Sequence, residues 1–238
     1  MKMGVISVLL LAAGLGVLLY PHVQQRLYRQ YARHLILDFE QRVQNYRLQS
    51  YNLQNYGTEN VDDSLNWLHL LMVEYNKNLY ETGQKNLVDP FSYKQVDFSL
   101  RQFGFAEEMI GYISIPKMAV ELPIFLGASN ENLKRGAAHL TQTSLPVGGI
   151  NTNAVIAAHR GMSTAAMFRD IHLLEVGDEI MLTNFYEMLK YEVVEKHIIL
   201  PTQINTVLIQ SGRDLVTLLT CHPLRHNHQR YVVYAQRK

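Results

Sequence analysis

Apolar residues follow a helical spacing in the N-terminal part of the chain and a strand-like spacing in the rest. An uncharged apolar run covers positions 3–20, and at about 1.5 Å per helical residue it is long enough to cross one hydrocarbon layer. A polar stretch without Pro or Gly follows at 26–56, and apolar residues then recur every three or four positions between 65 and 75. This spacing predicts a pair of helices after the apolar run.

Short apolar runs separated by turn residues replace the helical pattern in the second half of the chain. Runs that fit strands lie at 111–116, 121–125, 153–159, 178–182, 186–199, 215–221 and 231–236. Short helical pieces fit at 130–136 and 164–174. Many short strands with few helices predict a mainly β fold, a compact β-barrel.

The two patterns divide the chain into four segments. These are a membrane anchor at 1–22, a helical region at 23–83, a loop and linker at 84–105 and the β-barrel domain at 106–238. A cleaved signal peptide is the alternative for the first segment, because Ala12, Ala13 and Gly14 supply the small residues of a cleavage site. The apolar sequence continues through Leu19, which favours an uncleaved anchor.

Charge excludes one class of partner and bears on orientation. The 22 Lys and Arg nearly balance the 21 Asp and Glu, and no basic stretch is dense enough to neutralise many phosphates. We therefore expect no nucleic-acid partner.

Only Lys2 precedes the apolar run, whereas Arg26, Arg29 and Arg33 follow it, a distribution that taken alone favours a cytoplasmic C-terminal side.

Cys221 is the only cysteine of the chain, so it has no partner for an internal disulfide. It ends the apolar run 215–221, and Arg230 begins the next run nine residues later. If the two runs pair as antiparallel strands, Arg230 lies beside Cys221. His159 ends an earlier run, and it joins them only if its strand is a neighbour, which the sequence does not determine.

A thiol, an imidazole and a guanidinium together are suited to acyl transfer. Cationic neighbours stabilise the thiolate, which is the nucleophile. His159 is suited to donating a proton to a leaving amine, and Arg230 to donating hydrogen bonds to an oxyanion or a substrate carbonyl. Taken singly, each residue type is more often structural: a small buried hydrophobe for Cys, a satisfied His, a surface Arg.

The motifs around these three residues resemble those of the sortase family. They are Thr220-Cys221-His222-Pro223 with Arg230 downstream, His159-Arg160-Gly161, and the stretches 111–116, 136–139 and 143–149. The resemblance implies an eight-stranded sortase β-barrel and a cysteine transpeptidase without a cofactor. Such enzymes cleave an LPXTG-like sorting signal between Thr and Gly and hold the Thr as a thioester. It implies that Cys221 is the nucleophile, His159 the general acid/base and Arg230 the oxyanion or carbonyl donor.

Asp89-Pro90-Phe91, within the linker, resembles the lid of class C sortases, which polymerise pilins. The resemblance implies that Asp89 lies near Arg230 and that Phe91 covers Cys221 and His159; a plain proline turn is the alternative. It also implies pilin partners that bear an LPXTG-like signal and a lysine acceptor. We expect a monomeric catalytic domain on the cell-wall side of the membrane, held by a single N-terminal pass, despite the flanking charges.

Two further expectations concern the substrate groove and the loop after Cys221. By resemblance, the substrate groove involves Leu200, Pro201, Ile204 and Leu208, for which ordinary barrel core is an equal alternative. The loop after Cys221 contains His222, His226 and His228; a metal is conceivable there, but an exposed loop is the simpler account, and we expect no metal.

Two other functions stay open at this point. Many class C sortases carry a second hydrophobic span after the barrel, whereas this sequence ends directly after its last predicted strand, so we expect N-terminal anchoring only. One alternative is a housekeeping sortase that attaches surface proteins to a cell-wall peptide. The other is a non-catalytic pilus-assembly factor on a sortase-like barrel.

Overall fold

Two long helices precede the β domain. Helix α1 spans Lys2–Asn55 and helix α2 spans Ser64–Thr82, in a computed structural model that describes residues 2–55, 64–84, 87, 99–103, 108–162 and 164–238. Pro21 lies inside α1, which continues without a break through the boundary predicted after residue 22. None of the helices in these ranges is both long enough and apolar enough to span a membrane.

Eight strands close into a barrel, which confirms the predicted mainly β fold and its eight-stranded barrel. In chain order they are β1 Met109–Ile115, β2 Val120–Leu126, β3 Ala137–His139, β4 Thr152–Ala157, β5 Glu179–Asn184, β6 Met188–Ile199, β7 Asp214–His222 and β8 Gln229–Arg237. Around the barrel the order is β1-β2-β3-β4-β7-β8-β6-β5. Strand β3, with three residues, is the one that the apolar pattern did not predict.

The order of the strands brings three chain segments to one end of the barrel. Strand β4 pairs with β7 in parallel, and β8 pairs with β7 antiparallel. Because parallel strands end at the same edge of a sheet, the chain leaves β4 and β7 and enters β8 at a common end. The three sequence-predicted site residues lie on these segments.

The two predicted helical pieces have different outcomes. Helix α3, Asn130–Arg135, forms as predicted, and the Ser129 hydroxyl caps it by accepting from the Asn132 amide at 3.1 Å. The helix predicted at 164–174 is wrong, because only Ile171–Leu173 forms a 3-10 turn. The amide of Phe168 instead donates to the carbonyl of His159 at 3.1 Å, which folds this segment back onto the end of β4.

The helices and the barrel share one hydrophobic core. Phe39 of α1 packs on Phe185 with ring centroids 5.0 Å apart, and Leu68 and Met72 of α2 are fully buried in the same cluster as the barrel residues. Polar contacts at the surface add to this docking, for example the Tyr112 hydroxyl donating to Glu40 at 2.6 Å.

Candidate active site

Strands β7 and β8 place Cys221 and Arg230 opposite each other in the antiparallel register. Cys221 is partly exposed, whereas the Arg230 side chain is buried. The Nη1 of Arg230 donates to the carbonyl oxygens of Asn227 at 2.7 Å and Gln229 at 2.9 Å. These bonds hold the guanidinium against the end of the loop that joins the two strands, at the strand position opposite Cys221.

His159 reaches the same end of the barrel through the parallel pairing of β4 with β7. The amide of Ala158 donates to the carbonyl of Leu219 at 3.1 Å, and the buried Thr220 hydroxyl donates to the carbonyl of Ala158 at 2.6 Å. His159 therefore follows a backbone position that is bonded to the residue before Cys221. The structure shows that β4, the strand before His159, is a direct neighbour of β7, which the sequence did not determine.

The electrostatic setting of His159 favours its neutral form. Burial lowers the pKa of its imidazole first, because a charged ring loses hydration there, and the positive charge of Lys134 in α3 lowers it further. Sequence reasoning did not single out Lys134. Its only sequence signal is its place near the 136–139 stretch, which gives no indication that it lies near the histidine.

The glycine of the His159-Arg160-Gly161 motif has a local explanation. Gly161 adopts φ +89°, a conformation that disfavours side chains, and a Cβ there would lie 2.8 Å from Nε of Arg169. Arg169 in turn donates from Nη2 to the carbonyl of Met162 at 3.0 Å. The loop after His159 is thus tightly folded, and Gly161 is the residue that permits it.

The four predicted groove residues lie on and beside the 3-10 helix Pro201–Val207. Ile204 is buried and packs in a second core cluster with Leu219 and Val232. Leu200 is 48% exposed, so it is available to a ligand, while Pro201 and Leu208 are half-buried. The substrate groove stays a prediction, with Ile204 packed in the way that the barrel-core alternative expects.

The lid residues Asp89, Pro90 and Phe91 lie outside the described residues.

In the histidine-rich loop after Cys221, the ring centroids of His226 and His228 are 5.8 Å apart, and His222 interacts with Arg160. Across the part of the chain that the structure covers, no three His, Cys, Asp or Glu side chains are grouped so as to hold a metal ion.

Comparison with known proteins identifies the family. The sortase domain profile matches residues 113–238. Sortase A of Bacillus anthracis is 31% identical over 158 residues, which cover 65% of this chain and 72% of that protein. The structure of sortase C from Streptococcus pneumoniae matches with a TM-score of 0.72 at 31% identity, covering 86% of this chain and 96% of that chain. A pilus-related sortase C of group B Streptococcus matches at 33% identity with a TM-score of 0.67, covering 80% and 97%.

A closed barrel with a thiol and a guanidinium on adjoining strands, and an imidazole at the end of a third, is the architecture of a thiol-dependent acyl transferase. The chain belongs to the sortase family. By its structural neighbours it is a sortase transpeptidase of class C, as the motifs predicted.

Proposed function

We propose that this sortase polymerises pilin subunits through a thioester on Cys221. The observation that carries the proposal is the register that sets Cys221 beside Arg230, with His159 at the adjoining end of β4. Two structural neighbours support the choice of substrate: one is a pilus-related sortase C, and the other is a sortase C described in terms of its pilin substrate specificity.

The proposed reaction has two acyl transfers. The Cys221 thiolate attacks the Thr carbonyl carbon of an LPXTG-like signal, and the Thr–Gly bond breaks as the Gly amine takes a proton from the His159 imidazolium. A neutral lysine amine of the next pilin then attacks the thioester carbon and loses a proton to His159. The C–S bond breaks, which regenerates the thiolate and the imidazolium and leaves an isopeptide bond.

Arg230 is proposed to stabilise the negative oxygen in both steps. Its guanidinium stays charged at all working pH values and donates hydrogen bonds only. Backbone bonds to the β7–β8 loop hold it in a buried position, so it needs little reorganisation when the oxyanion forms.

We also propose that residues 1–22 anchor the enzyme, with the barrel on the cell-wall side of the membrane where pilins are exported. Support comes from apolar side chains in the N-terminal part of α1, which are largely exposed. Leu10, Leu11, Val17 and Leu18 are 68%, 74%, 75% and 70% exposed. A lipid surface is the environment that such a helix suits.

The test is a transfer assay with two acceptors. The chain is incubated with candidate pilins or with a cell-wall peptide, and mass spectrometry identifies the linked product. We expect a pilin–pilin isopeptide bond with the native chain and none with Cys221→Ala. Product with the wall peptide alone would favour the housekeeping alternative, and polymer formation by Cys221→Ala would favour a non-catalytic assembly factor.

A further inference from the structure

Arg160 contacts the strand that carries the proposed nucleophile. It directly follows His159 in sequence, and its Nη1 donates to the carbonyl oxygen of Cys221 at 3.4 Å. The same Nη1 lies 2.9 Å from Nδ1 of His222. Because a guanidinium has no acceptor, Nδ1 of His222 accepts this bond, and the neutral ring carries its proton on Nε2.

The same guanidinium also touches the third strand of the site. Its Cζ lies 5.2 Å from the centroid of the Tyr231 ring, within the range of a cation–π interaction, and Tyr231 directly follows Arg230. On the other side, Nε of Arg160 donates to the carbonyl of Arg169 at 3.2 Å. One side chain therefore connects the loop after His159 with the end of β7 and the start of β8.

The position of Arg160 also matters electrostatically. Its side chain is only 9% exposed, and the hydrogen-bond acceptors around it are neutral: two carbonyls and an imidazole nitrogen. Burial lowers its pKa, while attraction to Tyr231, Asp170 and Cys221 acts in the opposite direction. The attraction to Cys221 is mutual, so a charged Arg160 favours the thiolate over the thiol.

We propose that Arg160 is a positioning residue of this site, which fixes His159 relative to Cys221 and Arg230 and keeps a permanent positive charge beside the thiolate. The inference rests on the proposed function, in which Cys221 is the nucleophile. It assigns to the middle residue of the His159-Arg160-Gly161 motif a role of its own.

The charge is tested by alkylation of Cys221 with iodoacetamide across a pH series, using the full chain in detergent. For Arg160→Met we expect the midpoint of the rate profile to move to higher pH by about one unit, because the thiolate loses a buried cationic neighbour. Arg160→Lys keeps the charge and should keep the midpoint. The matched controls, Arg42→Met and Arg42→Lys, alter a partly exposed arginine on α1 that pairs with Asp38, and we expect them to match the native chain.

The geometry is tested with a reporter peptide that contains Leu-Pro-Glu-Thr-Gly. Lysine cannot reproduce the planar fork that serves two carbonyls and a ring nitrogen, so Arg160→Lys should lower kcat about tenfold with KM within about twofold of the native value. Arg160→Met should lower kcat further, by about a hundredfold. Melting curves establish that each variant is folded, and if Arg160→Met does not fold, Arg160→Lys alone decides.

The outcomes separate this inference from the proposed function. Arg160→Met with the native alkylation midpoint, or Arg160→Lys with the native kcat, overturns the role of Arg160 and leaves the transpeptidase proposal intact. A native chain that is alkylated normally but transfers nothing to any acceptor overturns the proposed function. The alkylation profiles would then still decide whether Arg160 supports the thiolate.

Discussion

His139, the last residue of β3, is a buried imidazole held in its neutral form. Its Nε2 donates to the carbonyl of Ser144 at 2.9 Å, while no described residue bonds to its Nδ1. Burial lowers the pKa of His139 from 6.5 to about 4, more than its two hydrogen bonds raise it. The barrel therefore contains a titratable group that serves the fold and has no assigned part in the chemistry.

The buried His139 should make the free energy of unfolding depend on pH. Well above pH 6.5 the ring is neutral in the folded and the unfolded chain, so His139 does not affect the free energy of unfolding. As the pH falls from 6.5 towards 4, only the unfolded chain takes up the proton, and the free energy of unfolding decreases. We expect the free energy of unfolding to fall by about 2 kcal/mol more between pH 7 and pH 5 in the native chain than in His139→Gln. Urea unfolding at the two pH values measures the difference, and equal losses would contradict it.

The charge of Lys134 should influence the pH dependence of activity. Its positive charge lowers the pKa of His159, so Lys134→Met should raise that pKa and move the alkaline limb of the kcat/KM profile to higher pH. Because Lys134 is exposed, added salt should shrink the difference. Lys190→Met, at an exposed lysine of β6, is the control, and a profile of Lys134→Met identical to it would show that Lys134 has no influence.

At the scale of elements, the sequence predicted strands β7 and β8, assumed their pairing and gave no partner for β4. Residues 215–221 and 231–236 are apolar runs on either side of residues 222–230, and the antiparallel register of Cys221 with Arg230 confirms the pairing that was assumed. Strand β4 joins β7 in parallel across two intervening strands. Such a long-range pairing leaves no local signal, and the position of His159 came only from the family resemblance.

The two elements that local pattern missed have physical reasons of the same kind. Strand β3 has three residues, too few to show alternation, and its pairing with β2 and β4 defines it. The stretch 164–174 has helical composition, but the amide of Phe168 donates to the carbonyl of His159, and the bonds within the stretch form turns and a short 3-10 helix. Tertiary contacts decide both cases.

Thr220 and Thr217 allow the junction of β4 and β7 to be tested. Both hydroxyls are buried: Thr220 donates to the carbonyl of Ala158 at 2.6 Å, beside the site, and Thr217 donates to Oδ1 of Asn153 at 2.7 Å, farther along the strand. Each Thr→Val variant should lose about 1–3 kcal/mol, since a buried acceptor is left unsatisfied.

Only Thr220→Val should also lower kcat, because it releases the residue that precedes His159. Unfolding curves and kcat measured on the same two preparations separate the effects. Equal kcat values for the Thr220 and Thr217 variants would mean that this bond does not position the histidine.

At the scale of the whole molecule, Asn76 joins the helical region to the barrel. This buried side chain in α2 accepts from the amide of Leu145 at 2.7 Å and donates to its carbonyl at 3.0 Å, so it bonds to both backbone groups of a loop residue. Gln84, just after α2, similarly donates to the carbonyl of Gln142 at 2.9 Å and accepts from the amide of Ile209 at 2.6 Å. Helix α2 thus supports two loops of the barrel.

Replacing Asn76 by alanine should therefore loosen α2 from the barrel. The variant leaves the buried amide of Leu145 without its partner, whereas the carbonyl of Leu145 still accepts from the amide of Val147 at 2.8 Å, and we expect a loss of about 1–3 kcal/mol. Asn78→Ala is the matched control, because Asn78 lies on the same helix but is exposed, and its side chain donates to Glu74 one turn earlier. Hydrogen exchange of α2 amides should accelerate in Asn76→Ala and not in Asn78→Ala. Equal protection in both variants would show that apolar packing alone, through Leu68 and Met72, holds the helix on the barrel.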